Sequence, residues 1–186
     1  MSRLRTYLKC AVASLAASLV FLTCASAEPA ELEALLEGLQ TADETAASQI
    51  EGRIYEIWSQ SGSPSMDLLL ERGREALESG DTKMSIEHFS ALIDHAPEFA
   101  EGYNGRATAH FQNGSFGLAL NDIRRTLELN PRHFGAMTGL ALILEEFGES
   151  EGALLAWREV ERLNPNSEGL DDAIRRLEIQ VGGETL

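Results

Sequence analysis

The chain is 186 residues long, 44% hydrophobic and 24% charged, with 15 Lys and Arg against 30 Asp and Glu and a net charge of −15 at pH 7. So acidic a chain has no electrostatic footprint for nucleic acid or for an anionic membrane surface, and a charge-steered partner is expected to be basic.

The first residues read as a leader. Arg3, Arg5 and Lys9 make a basic start, Cys10 to Leu22 is apolar or small, and Ala25-Ser26-Ala27 gives a small-x-small pattern before a cut. This is the layout of a secretory signal peptide (1–27), with an apolar run too short to span a bilayer comfortably. Cleavage after Ala27 leaves a mature chain Glu28–Leu186 in which no second apolar run appears, so no membrane span is expected. Lipid attachment at Cys24 is not expected, because Phe21 and Thr23 stand where a lipoprotein signal wants a Leu-like and a small residue. Cleavage removes Cys10 and Cys24 and leaves 12 basic against 30 acidic residues, a net charge of −18. The mature chain then has no thiol for a disulfide, a metal or catalysis. Basic side chains are nearly all Arg, a habit of GC-rich bacterial genomes, and a Gram-negative host would place the exported chain in the periplasm.

Residues 28–65 predict two helices and a hinge. Leu32, Leu35, Leu36 and Leu39 fall on one helical face, Ile50, Ile54, Ile57 and Trp58 on another, and Ser59–Ser65 reads as a turn. The pair could cap the first repeat, the expected arrangement, or lie in the groove; the residues do not decide between them.

From residue 66 the chain repeats every 34 residues in three blocks, 66–99, 100–133 and 134–167. Pro97, Pro131 and Pro165 keep that interval, as do Gly80, Gly114 and Gly148, the trio Ser85, Ala119 and Ala153, and the bulky Phe89, Ile123 and Trp157. Each block reads as two helices broken at the Gly turn and stopped at the Pro, which lacks an amide donor and disfavours helix before it. Small residues at Gly73, Ala107 and Ala141, opposite Ser85, Ala119 and Ala153, let paired helices approach closely, and the large ones fill the space between pairs. No such unit buries its apolar face alone, so the blocks must stack. Residues 168–186 close the stack with a helix whose stripe is Leu170, Ile174, Leu177 and Val181.

The pattern resembles the tetratricopeptide repeat family, which favours a large residue at unit position 4, small ones at 8 and 20, an aromatic or aliphatic at 24 and Pro at 32. The chain supplies Leu69, Gly73, Ser85, Phe89 and Pro97, then Tyr103, Ala107, Ala119, Ile123 and Pro131, then Met137, Ala141, Ala153, Trp157 and Pro165. Arg72 and Arg106 depart from the Leu common at position 7. The resemblance implies an all-α solenoid of three helical hairpins with N-terminal helices and a C-terminal capping helix.

It also implies a groove lined by positions 2, 5, 9, 12 and 13 of each unit: Asp67, Leu70, Arg74, Leu77 and Glu78; Glu101, Asn104, Thr108, Phe111 and Gln112; Gly135, Thr138, Leu142, Glu145 and Glu146. Leu70, Leu77, Phe111 and Leu142 are expected to offer apolar contacts, and Asn104 a hydrogen bond to a peptide backbone. The Lys/Asn/Arg clamp that some relatives close on a C-terminal carboxylate is missing, its places being taken by Leu70, Arg74, Gly105, Gly135 and Gly139. Catalysis is not expected. His88, His95, His110 and His133 have no completing metal set, the paired acids diverge around their helices, and no phosphate loop occurs. The expectation is therefore a scaffold that binds a protein or peptide on its concave face, with no cofactor, metal, nucleic acid or small-molecule substrate. The alternative is a structural or accessory subunit of an envelope complex, using its convex face or ends.

Overall fold

A computed structural model describes residues 27–184. The expected leader, with Cys24, lies outside the described residues, apart from Ala27. Nine helices are described: α1 (Ala27–Leu39), α2 (Glu44–Trp58), α3 (Pro64–Glu78), α4 (Thr82–His95), α5 (Ala100–Gln112), α6 (Phe116–Leu129), α7 (Phe134–Glu146), α8 (Ser150–Leu163) and α9 (Leu170–Glu184). Among the described residues none is long and apolar enough to cross a membrane.

The three repeats are the hairpins α3–α4, α5–α6 and α7–α8. Their turns are built alike because their sequences are. Gly80 and Gly148 take φ of +79° and +75°, a left-handed conformation that side chains with a Cβ resist. In all three turns the amide after the Gly reaches back five residues, Asp81 to Ala76, Ser115 to His110 and Glu149 to Leu144, at 2.8–2.9 Å, which satisfies carbonyls that a helix end orphans. Asp81 then caps α4, its carboxylate accepting from the Met84 amide at 3.0 Å. Each second helix ends one residue before the Asn or Ala that precedes its proline. Those prolines act as stops more than as packing, since Pro97 and Pro131 are exposed.

The other expected packing positions are in the core. Phe89, Ala107, Ala119, Ile123, Ala141, Ala153 and Trp157 are buried, and Tyr103 is half-buried with its hydroxyl donating to Pro97 O. Ser85 shows why its place is small and polar: its hydroxyl donates to Gly73 O at 2.9 Å across the hairpin. A built Cβ on Gly73 or Gly105 would lie 2.5 Å from the Phe89 ring, so this ring is clasped between two bare backbones from successive repeats. Burying such a side chain contributes about 1.5–3 kcal/mol. The closing helix behaves as expected, with Leu170, Ile174 and Leu177 joining Trp157 and Val160 in one cluster.

The first helices of successive hairpins, α3, α5 and α7, approach one another directly, whereas the second helices stay further apart. The stack therefore curves with the first helices inside. The N-terminal hairpin α1–α2 corrects the expectation of a cap on repeat one. Leu36, Leu39 and Ile54 instead pack with Phe134 and Leu163, at the start of α7 and the end of α8. Polar contacts fix it there: Gln40 Nε2 donates to Leu163 O at 2.8 Å, Asn166 Nδ2 to Ala42 O at 3.1 Å, and Arg132 pairs in two-pronged fashion with Glu33. The hairpin is a strap along the edge of the stack, placed there because Phe134 and Leu163 present the apolar surface its leucines need.

Candidate functional site

Two hollows open on the inner face. The larger, of about 350 Å³, lies between α5 and α7, with the buried Ala107, Ile123, Ala136 and Ile143 in its depth and Asn104, Thr108, Phe111, Gln112, Thr138 and Leu142 around it. It exists because Gly135 and Gly139, one turn apart on α7, put no side chain into it. The second, of about 310 Å³, lies between α3 and α5 and is lined by Arg74, Leu77, Phe89, Glu101, Asn104, Gly105, Thr108 and, from the strap, Tyr55. Asn104 and Thr108 border both, so the two hollows adjoin.

Of the residues expected at the groove, Arg74, Leu77, Asn104, Thr108, Phe111, Thr138 and Leu142 line these hollows. Leu70 does not. It is 2% exposed and packs against Phe89 and Leu92, so its apolar side chain is spent in the core and is withheld from a partner. Glu101, also expected on the surface, is 2% exposed.

A buried carboxylate needs donors, and Glu101 has two. His133 Nε2 meets Oε1 at 2.6 Å and Arg74 Nη2 meets Oε2 at 2.8 Å. The other imidazole nitrogen, Nδ1, accepts from the Ala136 amide at 3.1 Å as the cap of α7, which leaves the ring proton on Nε2 and makes that nitrogen the donor to Glu101. Arg74 is tied to the strap as well, through Nη1 to Ser59 Oγ at 2.9 Å. Burial alone would raise the Glu101 carboxyl, but the His133 hydrogen bond and the Arg74 charge overcome it and hold the group below its usual range. The Trp58 indole covers His133 from the far side. Glu101 and His133 are buried while Arg74 stays partly exposed at the second hollow, and the trio is a structural joint between repeats one, two and three.

Other polar groups at the hollows are free. Neither the Asn104 nor the Gln112 side-chain amide, nor the Tyr55 hydroxyl, has a hydrogen-bond partner among the described residues, whereas Thr108 and Thr138 donate to their own helices. Burial, followed by the nearby Glu101 charge, pushes the Tyr55 hydroxyl up, so it keeps its proton and serves as a donor. Tyr55 is the residue that sequence reasoning missed. It lies outside the repeats, and its only signal was its helical register beside Ile54 and Trp58. Gly135 makes the room: a Cβ there would stand 2.5 Å from the Tyr55 oxygen.

Comparison with known proteins agrees with this fold. The model of the family described as Tetratricopeptide repeat matches residues 70–122 and 104–168. A TPR repeat-containing protein of Rhizobium etli is 30% identical over 141 residues, which are 76% of this chain and 69% of the relative. The Hsp70-Hsp90 organizing protein 1 of Glycine max is 27% identical over 111 residues, 60% of this chain but only 19% of that protein. Among solved structures, the first TPR of Spaghetti (RPAP3) bound to an HSP90 peptide shares the fold, with a TM-score of 0.60 at 20% identity over 63% of this chain and 93% of that one. With three hairpins in 34-residue register and a family model that spans them, the chain belongs to the tetratricopeptide repeat family.

Proposed function

We propose that this protein is a non-catalytic scaffold that holds an extended peptide segment of a protein partner on its inner face, in the periplasm. The observation that carries the reading is the pair of adjoining hollows, the larger apolar in depth, bordered by the Asn104 and Gln112 amides and the Tyr55 hydroxyl, none of which has a hydrogen-bond partner among the described residues. A ligand site of this size and make-up orients its guest with a few polar contacts while apolar burial supplies affinity. The Spaghetti domain, of like fold, is described with an HSP90 peptide bound, which supports peptide binding as the use of such a face. The periplasmic address rests on the leader alone: basic start, short apolar run and Ala25-Ser26-Ala27.

The polar groups left unpaired at the groove are two amides and a phenol, while Thr108, Thr138, Arg74 and Glu101 are engaged within the fold, so the reading is of recognition and not of turnover. The experiment that tests it places a photo-crosslinking amino acid at Thr138 in the groove or at Leu118, which is 54% exposed on α6. Crosslinks from Thr138 to one partner peptide, lost in Phe111→Ala at unchanged helicity, support the groove. Crosslinks from Leu118 alone transfer the function to the outer face. An outer cleft between α6 and α7, lined by Leu120, Ile123, Leu127 and Leu140, makes that second outcome a specific alternative, the subunit of an envelope complex.

A further inference from the structure

The charges around the hollows specify the partner further, given the groove reading above. The unit positions expected at the groove carry one cation, Arg74, and five carboxylates, Asp67, Glu78, Glu101, Glu145 and Glu146, of which Arg74 and Glu101 line the second hollow. Arg74 is consumed by Glu101, and Glu145 accepts from the Trp157 indole at 2.7 Å and pairs with Arg176. Glu78 and Glu146 are different. Both are exposed, and neither has an ion-pair or hydrogen-bond partner among the described residues. They are the equivalents of Gln112, which lines the larger hollow, one 34-residue repeat to either side of it. Two free negative charges thus stand one repeat before and one repeat after Gln112, at the same unit position. Elsewhere on the described chain every arginine but Arg72 is held in an ion pair, and the two cations outside such pairs, Arg72 and Lys83, line neither hollow.

We propose that the groove takes a basic peptide segment with one bulky apolar or aromatic side chain. The apolar side chain enters the hollow between Phe111 and Leu142, over Gly139. The peptide backbone exchanges hydrogen bonds with the Asn104 amide and receives one from the Tyr55 hydroxyl. Lysine or arginine side chains on either flank face Glu78 and Glu146. An acidic segment meets the same two carboxylates as repulsion, and with Arg74 already committed it finds no compensating cation, so charge sets specificity more than affinity.

The test is a fluorescence-anisotropy titration of the mature chain, Glu28–Leu186, with three synthetic peptides. One has lysines on both sides of a single tryptophan, the second replaces the lysines by glutamates, and the third keeps the lysines and replaces the tryptophan by alanine. The lysine–tryptophan peptide is expected to bind at least about tenfold more tightly than either of the others, with affinity falling as salt rises. Glu78→Gln with Glu146→Gln should cost it about tenfold and flatten the salt dependence, and Tyr55→Phe should weaken it without touching the salt dependence. Gly139→Leu fills the hollow and should abolish binding; Phe111→Ala, which removes a wall instead of adding bulk, is the companion if the leucine perturbs the fold. Equal or tighter binding of the glutamate peptide, still lost in Gly139→Leu, overturns the basic partner and leaves the groove standing. Binding of the lysine–tryptophan peptide that ignores both hollow variants overturns the groove as well. Absence of saturable binding by that peptide overturns the proposal outright.

Discussion

The imidazole of His133 lies against the indole of Trp58, ring centroids 4.6 Å apart and planes 27° from parallel. Through this pair a segment outside the repeats is keyed to the loop joining the second repeat to the third. The same indole touches Tyr55 and Phe134, so one side chain fixes both the strap and the angle at which Tyr55 reaches the groove. Trp58→Ala is expected to cost about 2 kcal/mol, less than a fully buried Trp because part of the ring is exposed. Hydrogen exchange is the discriminating measurement. Protection should fall across α1 and α2 and change little in α5 and α6; a uniform fall would mean that the strap is not a separately docked unit.

Acid is expected to weaken the fold in two steps. His110 is the first: burial lowers it, only partly opposed by Asp122, whose Oδ2 lies 4.0 Å from Nε2. A lowered histidine favours the fold while neutral, so its contribution is complete above the ordinary value of about 6.5 and fades as pH falls through the lower folded value. Glu101 is the second. Its carboxyl is lowered by the His133 and Arg74 contacts against the opposing effect of burial, so its stabilisation is complete above about pH 4.3 and lost as pH falls through its folded value. Urea midpoints measured from pH 7.5 down to 3 should show both steps. His110→Gln should remove the upper one alone and Glu101→Gln the lower one alone, the latter at a pH-independent cost of about 1–3 kcal/mol from mismatched buried donors. A profile left unchanged by both variants would contradict the assignment.

What could be read in the sequence follows from how local each feature is. The hairpins, their Gly turns, their Pro stops and the closing helix depend on residues within one 34-residue unit, and the period places them. The groove positions followed the same register, so Asn104, Phe111, Thr138 and Leu142 fell where the hollow is. Leu70 and Glu101 did not, because position within a unit says which way a side chain points and not what comes to cover it. The strap is the extreme case. Its docking depends on Phe134 and Leu163, about a hundred residues distant from its own leucines, and an amphipathic helix pair carries no record of which apolar surface it will find.

Two glycines in helices should respond to alanine with opposite signs. Gly105 faces the Phe89 ring, where a Cβ would sit 2.5 Å from ring carbons, and Phe89 is wholly buried. Overpacking of about 1–3 kcal/mol therefore exceeds the gain of about 0.5–1 kcal/mol in helix propensity. Gly52 in α2 has nothing within 4 Å of a built Cβ, so Gly52→Ala keeps the propensity gain. Chemical denaturation should place Gly105→Ala below the wild type and Gly52→Ala above it, and a smaller side chain in Phe89→Leu should recover part of the Gly105→Ala loss. Equal responses from the two glycines would remove the clasp around Phe89.

Arg106 and Asp122 give the last test, because the chain itself contains the alternative. Arg106 grips Asp122 with two hydrogen bonds of 2.8 Å and reaches Ser90 Oγ at 3.1 Å; the side chains are 23% and 9% exposed. One repeat later the equivalent positions are Leu140 and Ala156, both in the apolar cluster of the third hairpin. Removing one partner leaves a poorly solvated charge, so Asp122→Ala and Arg106→Leu should each cost about 3 kcal/mol. The double variant Arg106→Leu/Asp122→Ala installs the third repeat's own solution. It should cost less than either single change, since a desolvated ion pair is often worth no more than apolar residues of similar volume. A double-mutant cycle in urea measures the coupling directly. If the two losses simply add, the pair is not coupled and the departure from Leu at the seventh position has no electrostatic explanation.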